Sequence, residues 1–163
     1  MTGSGKETNL MKPASSTTSI LTTLLQAGWT PGRSAKELVD QWEREYFSAG
    51  EFSLHANART VLLEFGGLSF EQDGPGETVA RRSFCFDPTV AVGESDRFAE
   101  FERALGTRLC PIGEAEAGEA FLLIAEDGRV LSAMDEAFLI GRSIEEAISA
   151  LVLGRLGEFI GTE

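Results

Sequence analysis

A chain of 163 residues is the size of one domain, and that is long enough to bury a core without disulfide or metal staples. Its 26 Asp and Glu outnumber 14 Lys and Arg, for a formal charge of −12. Such a surface repels nucleic acid and anionic membranes and attracts basic proteins, besides serving solubility. The longest unbroken apolar run, Ala120 to Ala125, is far too short to span a bilayer.

In chain order, residues 1–16 are rich in Ser, Thr, Gly and Lys without periodic apolar positions, and read as a loose tail ahead of a domain over residues 17–160. Ile20, Leu21, Leu24 and Leu25 share one face of a helix predicted over 17–27, which Gly28 stops. Pro31-Gly32 fits a tight turn. Ser34 and Glu37 have capping-box spacing and predict the start of a second helix, with Leu38, Val39, Trp42 and Tyr46 on its apolar stripe and an end near Gly50. A third helix is predicted from about His55 to Phe65, with Leu54, Ala58, Val61, Leu62 and Phe65 inward and Gly66-Gly67 as its stop. Leu68 and Phe70 alternate as a short strand. Asp73-Gly74-Pro75-Gly76 turns the chain into a paired strand over Arg82 to Phe86. Ser95 is expected to cap a helix carrying Phe98, Phe101, Ala104 and Leu105.

The second half has strand rhythm. Strands are predicted at 109–113, 119–125, 130–134 and 137–140, with Asp127-Gly128 as a two-residue hairpin turn. Ser143 and Glu146 then repeat the capping-box spacing and open a last helix, closed by Gly154. Helices first, then strands with helices between and after, predict a single α+β domain: a central antiparallel sheet flanked by helices.

Little in this pattern supports reactive chemistry. His55 is the only imidazole and Cys85 and Cys110 the only thiols. They are too few for a zinc site, so neither metal nor cofactor is expected. A cysteine–histidine pair needs proximity that the sequence does not show, and small buried cysteines are the commoner case. Glu145 and Glu146 suit the positive end of the last helix, and Asp127, Asp135 and Glu136 suit turns, so no carboxylate pair stands out as an acid–base couple. The glycine-rich stretches lie in the wrong order or among too many acids to cradle phosphate. Arg81-Arg82 is the only adjacent basic pair, too little for a nucleic-acid surface. Trp29, in a turn between two helices, is expected to pin them together. Residues 1–10 are polar and lack the apolar core of a secretion signal, so the cytoplasm is the expected compartment. The acids concentrate in the strand-rich part: residues 1–50 hold five acids and five bases, residues 51–163 hold 21 and nine.

Several short motifs stand in a familiar order: Ala27-Gly28-Trp29-Thr30-Pro31-Gly32-Arg33, then Leu63-Glu64-Phe65-Gly66-Gly67-Leu68, Phe84-Cys85-Phe86-Asp87-Pro88, Pro111-Ile112-Gly113-Glu114 and Asp127-Gly128-Arg129-Val130. The series, from about Ile20 to Gly154, resembles the third subfamily of the SUKH superfamily of immunity proteins. The resemblance implies an α+β fold, no catalytic residues and a role as antidote to a polymorphic toxin, with nucleases and nucleic-acid deaminases among the toxins met. The motif residues Gly28, Trp29, Pro31, Gly32, Arg33, Gly66 and Gly67 look like scaffold. The partner surface is expected on an acidic patch of Glu114, Glu116, Glu119, Asp127, Asp135 and Glu136, facing a toxin with a basic cleft. Neither nucleic acid nor membrane is expected as a partner. The alternatives are a regulatory or scaffolding module that binds another cellular protein, and an enzyme of unknown type.

Overall fold

The computed structural model describes residues 18–160; the expected tail over 1–16 lies outside them. Helix α1 occupies residues 18–26, followed by α2 (Lys36–Glu45), α3 (Ala56–Phe65), β1 (Ser69–Phe70), β2 (Phe84–Cys85), α4 (Ser95–Leu105), β3 (Leu109–Ala115), β4 (Ala120–Ala125), β5 (Val130–Ala133), β6 (Ala137–Gly141), α5 (Ile144–Leu153) and β7 (Glu158–Phe159). Short 3-10 turns cover Phe47–Ala49, Pro88–Ala91 and Glu116–Gly118. The strands form one antiparallel sheet in sequence order, β1 through β7, each pairing with the next. This is the α+β arrangement expected from the sequence.

All six residues of β4 are buried, so both sides of the sheet are covered at its centre. Residues paired across strands share a side. Phe121 and Ala133 therefore lie together, and Phe98 of α4 meets the Phe121 ring edge-on at 5.2 Å. Leu122, Ser132 and Phe138 line up on the opposite side, where α5 packs against β6. Towards β1, the Phe70 and Phe84 rings stack at 4.4 Å, and Phe65 of α3 sits 5.6 Å from Phe86. Nine of the eleven phenylalanines are buried. The other two, Phe138 and Phe159, contact each other at 5.6 Å across the β6–β7 pair rather than joining the core.

Two local expectations are corrected. Ser34 does not cap α2: the N-cap is Ala35, without a side-chain cap bond, and its N–H donates to the Leu63 carbonyl at 2.7 Å. Docking onto α3 sets the start of this helix. Ser95 does not cap α4 either. It is the first helical residue, and the Glu51 carboxylate accepts from the N–H groups of Gly93 and Ser95 at 3.1 and 3.2 Å. Strand β7 went unpredicted: it is two exposed residues long and leaves no hydrophobic alternation to read. At α5 the spacing works as expected on one side, with Ser143 Oγ accepting from the Glu146 N–H at 3.2 Å. The Glu146 carboxylate reaches one residue further back than the usual box, to the Arg142 N–H at 3.0 Å.

Candidate functional site

Two groups of residues singled out in the sequence separate cleanly in space. The first is a joint between the α1–α2 connection and the end of α3. The Arg33 guanidinium donates to the carbonyls of Glu64 and Gly66 at 2.7 and 2.9 Å, satisfying two acceptors at the C-terminal end of α3. Trp29 donates its indole N–H to the Glu64 carboxylate at 3.0 Å, so it ties the connection to α3, a helix other than the two it was expected to pin together. A Cβ at Gly66 would lie 2.4 Å from the Leu62 carbonyl oxygen and 2.9 Å from the Trp42 ring, which excludes any larger residue without movement. Gly67 has φ +86° and turns the chain so that its N–H reaches the Phe86 carbonyl at 2.8 Å. Gly28, Pro31 and Gly32 shape the loop that delivers Trp29 and Arg33. Trp29 and Arg33 thus tie the α1–α2 connection to α3, and Gly67 ties the end of α3 to the residue after β2.

The second group is the acids. In an antiparallel meander the β3–β4 and β5–β6 connections share one end of the sheet, and the β4–β5 turn lies at the other. Glu116 and Glu119 occupy the first of these connections, Asp135 and Glu136 the second, and all four line one shallow cleft. Glu114, half-buried at the end of β3, points its carboxylate towards Gly118 of the same connection: a Cβ there would be 3.5 Å from Oε2. Glu116 is the one non-glycine with positive φ among the described residues, at 57°, a conformation that costs about 1 kcal/mol. Among the described residues only one of these five acids forms an ion pair, Asp135 with Arg97 at 3.2 Å. Asp127 is not part of the group. It sits in the β4–β5 turn, a six-residue strand or about 20 Å away. Its own neighbour Arg129, bonded at 2.8 Å, holds its carboxyl below the usual carboxylate range.

The remaining candidates for chemistry have structural roles. His55 caps α3: Nδ1 accepts from the Ala58 N–H at 3.2 Å, and Nε2 lies 3.0 Å from the Ile124 carbonyl. These partners require the proton on Nε2, donated to Ile124, so both ring nitrogens are engaged. Cys85 and Cys110 are free, and burial pushes both thiols up, away from the reactive thiolate. Among the described residues there is no group of three His, Cys, Asp or Glu that could hold a metal. Nor is any helix among them long and apolar enough to cross a membrane.

Residues 16–154 match the SUKH-3 immunity protein family. The chain belongs to that family. No curated protein and no solved structure matches it. As a SUKH-3 immunity protein it has a toxin as its partner. The match covers the scaffold joint and the sheet through α5, and it leaves open which surface meets that toxin. In the sequence the acids stand out by their number and by their place along a predicted sheet edge and its hairpins. Their grouping follows from strand connectivity, and Arg33's bonding to the end of α3 had no sequence signal beyond its place in the motif.

Proposed function

We propose that this protein neutralises a cognate polymorphic toxin, a nuclease or a nucleic-acid deaminase, by laying its acidic sheet end over the toxin's basic cleft. The observation that carries this reading is the gathering of Glu114, Glu116, Glu119, Asp135 and Glu136 at one end of the sheet with Arg97 as the one ion-paired cation. A nuclease or deaminase must attract phosphate, so its cleft is positive. An acidic counterpart is steered to it, with association raised by about 10–1000-fold over a neutral pair. Tight holding then needs a desolvated centre besides charge. In this reading residues 17–160 form the binding domain, the protein acts in the cytoplasm, and it does so by occupancy, without turnover of its own.

The test is co-expression of this chain with the product of the adjacent gene. Restored growth, together with co-elution of the two proteins and loss of the partner's nucleic-acid-modifying activity, is the expected result. A neighbour that harms no cell, or a purified chain that turns over substrate by itself, contradicts the proposal.

A further inference from the structure

The acidic end does not stand alone. On the Leu122, Ser132 and Phe138 side of the sheet, α5 leaves a cleft of about 330 Å³ beside its C-terminus, walled by Val79, Ile140, Leu151 and Leu156, with the exposed Arg82 and the Glu77-paired Arg155 also in its lining. A second cleft of about 220 Å³ continues from it towards Glu119, Asp135 and Glu136. The two share Glu116, Ser132 and Phe138, so they form one groove with an apolar channel and an acidic mouth. Val79 and Leu156 are 38% and 65% exposed, and Phe138 is one of the two phenylalanines left outside the core. A scattered exposed leucine is ordinary, but apolar side chains on both walls of one groove are not.

The groove's two halves require different chemistry in one occupant. Carboxylates at the mouth ask for a cation, which can also lie over the Phe138 ring. The channel asks for an apolar side chain. Glu136 in the β5–β6 turn and Phe138 and Ile140 on β6 follow at two-residue intervals and all line the groove, about 7 Å per interval of extended chain, with a register shift at Ile140. An extended segment repeats at the same step, because its alternate side chains point the same way. We infer that this groove receives an extended segment of the partner in which an Arg or Lys lies two positions from an apolar or aromatic residue. The inference rests on the acidic end being the partner face, and it adds the kind of segment that is read there.

The test is selection of peptides from a random displayed library on the full-length chain. The expected result is enrichment of a basic residue two positions from an apolar one. Binding of the selected peptides should fall about tenfold on Glu136→Lys, an exposed change that removes one attraction and adds a repulsion. It should fall as far on Ser132→Trp, which fills the groove floor, and stay unchanged on Asp127→Lys at the far end. Urea midpoints show that each variant is folded, and Glu136→Lys decides alone should Ser132→Trp fail to fold. Peptides without the spacing, no enrichment, or equal binding to the mouth variant overturn the inference. So does self-association through the groove in sedimentation, which would make a second copy the occupant. If toxin rescue holds while the selection fails, the groove is wrong and the immunity reading stands; if rescue itself fails, the reading beneath it falls.

Discussion

Replacing Arg33 with methionine tests the joint on which the helical layer depends. The change keeps an apolar stem and removes two hydrogen bonds from a charged donor, at 2.7 and 2.9 Å, to carbonyls at the end of α3. Bonds to charged groups contribute about 1.5–3 kcal/mol each when buried. Arg33 is only half-buried, so solvent screening discounts each bond to about 1–2 kcal/mol and the pair amounts to about 2–4 kcal/mol. With a urea dependence near about 2 kcal/mol per molar, the unfolding midpoint should drop by about 1–2 M. Arg33→Lys presents a single point of charge and should recover roughly half of the loss. Urea titration followed by far-ultraviolet circular dichroism measures both. A midpoint for the methionine variant within error of wild type would mean that Arg33 is merely solvated, and the joint would need another explanation.

Gly66→Ala should cost about 1–3 kcal/mol, because its Cβ would lie 2.4 Å from the Leu62 carbonyl. Gly32→Ala, with open space but φ +80°, should cost about 1 kcal/mol, and urea midpoints compare the two. His55→Ala removes the cap of α3 and its tie to the Ile124 carbonyl and should lose about 1–2 kcal/mol by the same assay, while His55→Asn keeps the cap and loses only the tie. Burial raises the folded-state pKa of the Cys85 and Cys110 thiols and of the Tyr46 phenol, whose buried oxygen has no hydrogen-bond partner among the described residues. The folded state then holds protons that the unfolded chain releases first. Stability is full below the ordinary thiol range and falls as pH rises above about 9. Midpoints at pH 7, 9 and 10 should show the decline, and Cys110→Ala should flatten it.

The order of helices and strands was legible because apolar spacing changes from helical to alternating along the chain, and because Gly28, Gly66 and Gly154 mark helix ends. Caps were less legible. Ser34 and Ser95 have the right chemistry, but the Leu63 carbonyl and the Glu51 carboxylate, both distant in sequence, provide the contacts that decide those ends. A two-residue edge strand such as Glu158–Phe159 has no pattern to detect, since backbone pairing alone defines it. The acids show the same division. Their number is a property of composition. That Glu116, Glu119, Asp135 and Glu136 meet while Asp127 stands apart is a property of which turns share an end of the sheet.

Stopped-flow mixing of the protein with its toxin at two ionic strengths probes the electrostatic claim at its source. The triple variant Glu116→Lys, Glu119→Lys and Glu136→Lys should associate at least about tenfold more slowly and lose most of the salt dependence, while Asp127→Lys keeps the wild-type rate. Equal rates for wild type and triple variant, or an equal slowing by Asp127→Lys, would contradict an acidic sheet end as the surface that meets the toxin.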